Sequence, residues 1–396
     1  MSFTFTTHEL RRRGERFQEA LRADGLDGAV ILQRADAVYL SGTAFQGAVV
    51  APAEGDLRLL AWRGAGRVPG ECPWPVETLN SAAGFGKAVA ALGLGGWARI
   101  GFEEDVLPVG LFRKLLQGTW PGAAFVDASD RLRRIRAVKS PEELERVRRS
   151  GAVLSAGFEA LRGIIREGMY EYEIQAQMEV IMRREGDQAA GRTRGFNAEA
   201  RGVVACGPSA AVDNVFDGPI GQPGRNPLAP VGAGDGRVAA GLPVIADVTA
   251  GYGGYITDMT RTYAIGPLEA RFVEAHDFCV SILEGCETRM AAGAIPEEIY
   301  LWSMAEAEKA GFAANFMNRG RNQVRFLGHG IGLEIDEFPA LARRFTDPLA
   351  AGMVIAVEPK VVFEDGAVGV EDTFVVTAAG AEPVTVMQRG IVTVER

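Results

Sequence analysis

The chain has 396 residues, more than one hydrophobic core usually supports, so two domains are expected. Its 47% hydrophobic and 23% charged residues are typical of a globular protein and exclude a disordered or repetitive chain. The net charge of −9 argues against non-specific binding to nucleic acid, which requires a basic surface.

Cysteine usage and hydropathy predict the compartment. The four cysteines lie far apart without CxxC spacing, which favours reduced thiols over a disulfide framework or a zinc ribbon. The N-terminal segment has no apolar signal core, and no stretch reaches about 18 uninterrupted apolar residues. We therefore expect a soluble, cytoplasmic protein with neither a membrane nor a nucleic-acid partner.

Residues 1–135 are predicted to form a smaller α/β domain. An amphipathic helix from His8 to about Arg22 precedes a short buried strand in GLDGAVILQ. A hairpin is expected around 54–56, followed by a strand in ARIGFEED and a helix near 109–116. Strands that alternate with helices indicate a partly parallel sheet covered by helices.

Residues 136–396 are predicted to form a second domain of the α+β class. Ser140 and Glu143 make a capping box, which begins a long helix, and EYEIQAQMEVIMRRE forms the next one. Strands prevail in the rest of the domain, interrupted by helices near 268–290 and 296–310.

Five potential metal ligands stand in the C-terminal part of the chain: Asp247, Asp258, His329, Glu358 and Glu371. Each carboxylate interrupts a run of β-branched and small apolar residues, where a charge is costly unless it is paired or bound to a cation. If the five side chains converge, they form a dinuclear metal centre. The alternative is a set of unrelated strand-end charges and one core histidine, which is improbable for all five together.

The spacing predicts how the carboxylates meet. A symmetric hairpin around Gly251–Gly254 would place Asp247 directly opposite Asp258, with Cβ atoms roughly 5 Å apart. A second hairpin, in VEPKVVFEDGAVGVEDT, would bring Glu358 and Glu371 together in a register uncertain by about one residue. Two such pairs can share two cations about 3.5–4 Å apart.

At these positions the chain resembles a known family. DVTAGYGGYITDMTRT, GHGIGLEIDEFP, VEPK and GVEDT are similar to the metal-binding segments of the pita-bread metallopeptidases, which include methionine aminopeptidase, prolidase, aminopeptidase P and creatinase. The segment AVKSPEELERVRR and the domain before it resemble the prolidase/creatinase branch. The resemblance covers nearly the whole chain. It implies an α+β pita-bread catalytic domain preceded by a smaller α/β domain of the creatinase/prolidase N-terminal type.

The resemblance also implies a role for each ligand. Asp247 would chelate one metal ion and His329 the other, Asp258 and Glu371 would bridge the two, and Glu358 would both ligate a metal and act as the general base. Two divalent cations make hydroxide available near neutral pH, and the base takes the proton that the leaving amine later needs. Carboxylates with one imidazole favour Mn²⁺, with Co²⁺, Zn²⁺ or Fe²⁺ as alternatives.

Two threonines could support the ligands from the same strand faces. Thr260 and Thr373 each lie two residues after a ligand and could orient carboxylates through hydrogen bonds. The general preference of threonine for strands explains them equally well. Arg261 points to the opposite face from Asp258 and is predicted to be structural.

Three further features adjoin the predicted centre. Gly328, Gly330 and Gly332 would let the backbone approach the metal or substrate closely. Lys360 shares the face of Glu358 and either pairs with a carboxylate or is a solvated strand-end lysine. The Gly/Pro-rich segment 216–236 is expected to be an ordered surface loop over the site.

The chain departs from proline-specific members of the family at two expected histidines. GPSAAVDN has Asn214 in one position and HGIGLEIDEFP has Asp336 in the other, and neither His8 nor His276 is an obvious substitute. Asn214 could contact substrate through its amide or cap its own backbone. Asp336 could stay protonated, face away, or bind a cationic group of the substrate, which we favour slightly. Both are candidate substrate-binding residues.

Three functions fit these observations. The favoured one is an Xaa-Pro dipeptidase or aminopeptidase that attacks the peptide bond of a small peptide with a metal-activated water. The alternative is a non-peptide C–N hydrolase or lyase on the same scaffold, because the histidines are missing and a fold alone never fixes function. A non-catalytic interaction module is least favoured, because the ligand set is full. The resemblance of the N-terminal domain implies a homodimer.

Overall fold

The computed structural model describes residues 4–188, 191–200, 202–213 and 215–395. The chain divides into two compact units, one ending at Arg136 and the other beginning at Ala137. Each unit combines helices with β-sheet, as the fold class predicted from the sequence requires. Among the described residues, no helix has the length and apolar character needed to span a membrane.

The first unit is built on one six-stranded sheet. Its strands are β1 (Gly28–Ile31), β2 (Gln46–Pro52), β3 (Arg58–Arg63), β4 (Val76–Thr78), β5 (Arg99–Phe102) and β6 (Ala124–Asp127). The spatial order is β4-β3-β2-β1-β5-β6, in which β2 runs antiparallel to both neighbours while β5 runs parallel to β1 and β6. The predicted hairpin and the partly parallel sheet are both present.

The helices of the first unit alternate with these strands along the chain. They are α1 (Thr7–Ala23), α2 (Arg34–Ser41), α3 (Val68–Glu71), α4 (Phe85–Ala91), α5 (Val109–Leu111) and α6 (Ser129–Ala137), and α5 continues as a π-helical turn, Phe112–Gln117. The side chain of Thr6 accepts a hydrogen bond from the backbone N–H of Glu9, one of the free N–H groups in the first turn of α1, and so caps the start of the helix. Leu10, Phe17 and Leu21 form its buried stripe.

Four long helices belong to the second unit: α7 (Pro141–Ile164), α8 (Glu171–Glu185), α9 (Ala270–Arg289) and α10 (Pro296–Lys309). At the start of α7, the Ser140 hydroxyl accepts from Glu143 N, and the Glu143 carboxylate accepts from Ser140 N. The predicted capping box is therefore confirmed, and all four predicted helices are present within a few residues of their expected ends.

The strands of the second unit form two sheets and a separate hairpin. They are β7 (Val203–Cys206), β8 (Pro243–Tyr252), β9 (Tyr255–Ile265), β10 (Phe326–Ile331), β11 (Ile335–Ala342), β12 (Val354–Val357), β13 (Lys360–Phe363), β14 (Gly366–Gly369), β15 (Asp372–Val376), β16 (Ala381–Pro383) and β17 (Val392–Val394). One sheet has the order β17-β9-β8-β7, the other β11-β10-β12-β15-β16, and β13 pairs with β14.

The turn between β8 and β9 differs from the predicted one. Gly253 and Gly254 have φ values of +57° and +89°, and Tyr252 pairs with Tyr255 across them. Two consecutive positive-φ residues form a two-residue turn whose twist matches the strands, so the turn is centred one residue later than predicted.

The shifted turn corrects the predicted pairing of the two aspartates. Asp247 pairs with Thr260, and Asp258 pairs with Thr249, so the aspartates lie diagonally rather than directly opposite each other. Because the shift changes the partner by two residues, both side chains stay on one face of the ladder.

The second hairpin agrees with its prediction. β13 and β14 meet at a turn formed by residues 364–365, and beyond them Val357 pairs with Asp372 in the same register. That register places Glu358 opposite Glu371. An isolated antiparallel bridge between Thr260 and Glu371 then connects this hairpin to β9.

Candidate metal centre

The strands bring all five predicted ligands together in two overlapping groups. Asp258, His329 and Glu371 form one group, and Asp247, Glu358 and Glu371 form the other. Within each group, one ligand atom per residue lies within 4.8 Å of the others. Glu371 belongs to both groups, so the five side chains make one continuous cluster.

Thr260 holds the shared carboxylate. Its hydroxyl donates to Glu371 Oε2 at 2.8 Å, and its backbone exchanges two hydrogen bonds with that of Glu371. Thr373 acts differently: its hydroxyl donates to the backbone oxygen of Asp258 at 2.8 Å and accepts from Asp258 N at 2.9 Å. Thr260 therefore orients a carboxylate directly, whereas Thr373 fixes the backbone from which one projects.

The remaining oxygen of Glu371 tests whether the cluster fits a cation. Among the described residues, Glu371 Oε1 is a buried oxygen without a hydrogen-bond partner. A buried unpartnered carboxylate oxygen is costly, and ligation of a cation removes that cost. Oxygen donors with one imidazole suit a hard divalent ion. The residues present therefore fit a divalent metal.

The acidic cluster raises the pKa of its own members. Burial raises the pKa of Asp258 well above its ordinary value, and the negative charges of Glu371 and Asp247 add to the effect. Burial also raises the pKa of Asp247, Glu358 and Glu371, although the Lys360 ammonium opposes the shift in each. Without a divalent cation the cluster is electrostatically unfavourable in its ionised form.

His329 is buried on β10 beside this cluster. Its Nδ1 lies 3.1 Å from the backbone oxygen of Gly330, and its Nε2 lies 3.8 Å from Glu358 Oε1. Burial lowers the pKa of His329, but the charges of Asp336 and Glu358 outweigh burial and raise it overall. An Nδ1–H donated to Gly330 leaves Nε2 as the ring atom available for a cation.

Lys360 is the residue of the cluster whose position the sequence left open. Its side chain is fully buried, and Nζ lies 3.0 Å from Asp247 Oδ2, 2.6 Å from Glu358 Oε2 and 2.9 Å from Glu371 Oε2. Burial lowers the pKa of Lys360, but these three carboxylates outweigh burial and raise it well above its ordinary value. Of the two alternatives left open by the sequence, Lys360 is therefore the lysine paired with carboxylates and not a solvated strand-end lysine.

The glycines around His329 serve strand packing. A Cβ at Gly328 would lie 2.2 Å from the backbone oxygen of Ala356, and one at Gly330 would lie 2.4 Å from that of Phe338. The predicted reason, approach of the backbone to metal or substrate, is therefore corrected: neighbouring strands occupy the space. At Gly332 a Cβ would instead meet a side chain, because it would lie 2.8 Å from the Glu337 carboxylate.

Arg261 is structural, as predicted. Its guanidinium is fully buried, forms an ion pair with Asp372 at 2.7 Å, and donates to the backbone oxygens of Glu371 and Met387. It therefore links β9 to the segment that carries Glu371.

A cleft of about 500 Å³, counting space open to solvent, lies over the cluster. The residues that line it include Asp247, Asp258, His329, Glu358, Asp336 and, from the segment 216–236, Phe216, Asp217, Gly218, Pro219, Ile220 and Gln222. The first part of the segment thus lies at the site, and the segment contains no helix or strand.

Two acidic side chains line the cleft beside the metal ligands. Asp336 Oδ1 lies 3.7 Å from His329 Nδ1 and its side chain is 58% exposed, so it does not face away from the site. Asp217 was missed by sequence reasoning, because a single aspartate in a Gly/Pro-rich segment carries no signal. Burial and the charge of Asp336 raise the pKa of Asp217. Asn214 lies outside the described residues.

Comparison with models of known protein families shows the family to which this chain belongs. The family model described as metallopeptidase family M24 matches residues 145–378, more than half of the chain. The chain belongs to metallopeptidase family M24. The model of the creatinase/prolidase N-terminal domain matches residues 13–138, so the two-domain architecture inferred from the resemblance is confirmed.

Individual M24 relatives are similar over most of their length. The chain is 27% identical over 284 residues to the putative dipeptidase YkvY of Bacillus subtilis, covering 72% of this chain and 69% of that protein. It is 26% identical over 266 residues to an Xaa-Pro dipeptidase of Pyrococcus furiosus, covering 67% and 68%.

Solved structures extend the similarity in fold to almost the whole chain. An X-Pro aminopeptidase from Thermotoga maritima gives a TM-score of 0.79 at 25% identity, covering 96% of this chain and 99% of that one. An Xaa-Pro dipeptidase from Bacillus anthracis gives a TM-score of 0.83 at 23% identity, covering 97% and 99%, and this match supports the fold alone.

Proposed function

We propose that this protein is a metal-dependent peptidase of the Xaa-Pro dipeptidase or aminopeptidase type. The observation that carries the proposal is the convergence of five ligands, four of them buried, beneath a solvent-open cleft in an M24 chain. Relatives named Xaa-Pro dipeptidase support the same class of substrate. The relatives compared with this chain are named as peptidases, so the comparisons give no support to the non-peptide alternative.

The five clustered residues are the proposed cation ligands. Asp258, His329 and Glu371 would hold one ion, and Asp247 and Glu358 together with Glu371 form a second possible position. A divalent cation there supplies Lewis acidity to the scissile carbonyl and to water. We infer Mn²⁺ as the preferred ion from the hard donor set, with Co²⁺, Zn²⁺ or Fe²⁺ as alternatives. The number of ions held at once depends on Lys360.

Glu358 is the proposed general base. Its Oε2 accepts from the Lys360 ammonium, which leaves Oε1 available on a residue that lines the cleft. Oε1 would take a proton from the attacking water and return it to the leaving amine nitrogen. The hydrogen bond from Lys360 fixes the carboxylate in the orientation that this transfer needs.

Asp336 and Asp217 are proposed to bind the amino terminus of the substrate. Both carboxylates line the cleft that also contains the metal ligands. A protonated α-amine is the cationic group that every unblocked peptide carries, and paired carboxylates recognise such a group by charge-assisted hydrogen bonds. Asn214 remains a proposed substrate contact on the sequence argument alone.

Hydrolysis of a peptide panel tests the proposed function. Purified protein loaded with Mn²⁺ would be given Ala-Pro, Met-Pro, Ala-Ala and Ala-Pro-Ala, and released amino acids would be measured. We expect cleavage before proline, its loss on chelation and its recovery when Mn²⁺ is restored. A metal-loaded, folded protein that cleaves none of these peptides would refute the proposal.

We also infer a homodimer and a cytoplasmic location. The N-terminal domain resembles one that mediates dimer formation in prolidase-like relatives, and the four cysteines are free. Light scattering after size-exclusion chromatography tests the first inference, with a mass of twice 42.3 kDa expected. Cell fractionation tests the second.

A further inference from the structure

The Lys360 ammonium lies in the middle of one of the two ligand groups. Its three carboxylate partners are Asp247, Glu358 and Glu371, the same three residues that form the second group. The other group, Asp258, His329 and Glu371, has no hydrogen bond or ion pair with Lys360 except through the shared glutamate.

The chain confines the ammonium to this position. Lys360 begins β13, where it pairs with Gly369, and its backbone oxygen accepts from Met317 N. The stem lies in space that Gly369 leaves free, because a Cβ at Gly369 would be 2.5 Å from Lys360 Cγ. With its side chain fully buried, Lys360 has no solvated position in this packing.

The ammonium and a metal ion compete for the same oxygens. Nζ donates hydrogen bonds to Oε2 of both glutamates and lies 3.0 Å from Oδ2 of Asp247, so it already occupies the space between these oxygens. A cation bound to these atoms would lie close to the Lys360 ammonium in a buried site, where repulsion between the two positive charges is weakly screened. Glu371 Oε1, which has no hydrogen-bond partner in the described part of the chain, stays available to the other group.

We propose that Lys360 takes the place of the second metal ion, so that each chain binds one divalent cation, held by Asp258, His329 and Glu371. This inference rests on the proposed metal dependence but not on the substrate. It replaces the dinuclear centre expected from the sequence with a metal–ammonium pair. Lys360 then acts as a positioning residue, because it fixes the Glu358 carboxylate that a second ion would otherwise ligate.

Metal stoichiometry tests the inference without reference to turnover. Wild-type protein, Lys360→Ala and Lys139→Ala would be stripped, dialysed against excess Mn²⁺ and analysed for bound manganese per folded chain. Lys139 is a matched control, because it is also buried and ion-paired, at 3.1 Å to Glu337, but lies outside the ligand groups. We expect one ion in wild type and in Lys139→Ala, and two in Lys360→Ala, where both charge and volume are removed.

Electron paramagnetic resonance of the wild-type protein gives a second readout that needs no variant. One ion per chain gives a six-line Mn²⁺ spectrum without exchange coupling, and this result supports the inference. A coupled pair, or two ions per wild-type chain, overturns it, as does one ion in a folded Lys360→Ala. A peptidase that holds two ions would overturn this inference alone, whereas a chain that binds no divalent metal would overturn the proposed function as well.

Discussion

At the scale of single residues, the site is a balance between buried negative charge and the groups that compensate it. Burial raises the pKa of every carboxylate in the cluster, while Lys360 keeps three of them near a positive charge. Thr260 and Lys360 both donate to Glu371 Oε2, while no group of the described residues donates to Oε1. The buried carboxylates, each of which would be costly if it were ionised and unpaired, are thus placed where a cation can compensate their charge.

Substitution of Asp336 by histidine is expected to change substrate preference more than metal binding. Asp336 lines the cleft and is not a member of either ligand group. Loss of an exposed carboxylate should raise KM for peptides with a free amine by roughly threefold to fivefold, the size of an exposed ion pair. Steady-state kinetics and Mn²⁺ titration measure the two effects.

The matched control for that experiment is Asp213→His. Asp213 accepts a hydrogen bond from Asn322 at 2.6 Å and is not among the residues that line the cleft. Its replacement should leave selectivity unchanged. Weaker metal binding by Asp336→His with no change in selectivity would contradict the prediction.

His276 is expected to make the fold less stable in acid. Burial in α9, and then the charge of Arg261, lower the pKa of His276 to about 4. The unfolded chain binds this proton below about pH 6.5, so stability is lost as pH falls from 6.5 towards 4, by up to roughly 3 kcal/mol. Denaturant unfolding at pH 7.5 and 4.5 should show a smaller loss for His276→Leu than for wild type.

The comparison between His276→Leu and wild type contains its own control. Between pH 7.5 and 9 the imidazole is neutral in both states, so the difference in free energy of unfolding should be constant there. An equal loss of stability in the two proteins on acidification would show that His276 does not contribute.

At the scale of elements, two hairpins determine where the ligands meet. The Gly253-Gly254 turn places the aspartates of β8 and β9 diagonally on one face, and the second hairpin places Glu358 opposite Glu371. The bridge between Thr260 and Glu371 then joins the two hairpins. Each hairpin is local in sequence, but only this long-range bridge makes them one site.

Replacement of Gly328 by alanine should destabilise β10. The added Cβ would lie 2.2 Å from the backbone oxygen of Ala356 on the paired strand β12, which cannot rotate away. Overpacking of this kind costs about 1–3 kcal/mol. Chemical denaturation measures the loss. Gly163→Ala in α7 is the control: nothing lies within 4 Å of its Cβ, so a small gain in stability is expected.

If Gly328→Ala unfolded at the same denaturant concentration as wild type, the close approach of β12 would not be the reason for glycine at this position. Retained stability together with lost metal binding would instead restore the explanation drawn from the sequence, in which the backbone approaches the metal.

At the scale of the whole molecule, the second unit places its acidic centre among apolar strands. The ligand-bearing strands β9 and β10, and β12 directly before Glu358, are buried along almost their whole length, and Phe374, Val375 and Val376 continue that core on β15. The low-dielectric surroundings strengthen every charge interaction in the cluster. Metal binding should therefore contribute measurably to the stability of the unit.

Removal of divalent metal is expected to lower the melting temperature. A ligand that binds only the folded state stabilises it by about 4 kcal/mol at a thousandfold excess over Kd, which corresponds to several degrees or more for a unit of this size. Differential scanning calorimetry with EDTA and with Mn²⁺ measures the shift. Glu371→Gln should lose most of it, and an equal shift in that variant would argue for binding elsewhere.

The sequence by itself determined which residues carry charge in apolar strands, the capping box of α7 and the existence of both hairpins. Together with the motifs, these features predicted the family and the five clustered side chains. These features depend only on residues that are close in sequence, because hydrophobic periodicity, capping and turn formation involve neighbours a few residues apart.

Only the tertiary structure decided the diagonal placement of the aspartates, the burial of Lys360 among three carboxylates, the presence of Asp217 in the cleft and the reason for Gly328. Each of these features depends on contacts with a segment that is distant in sequence. The local sequence around a residue does not indicate which distant segment packs against it. A buried lysine and a solvated one have the same local sequence, and the packing of β13 against β14 distinguishes them.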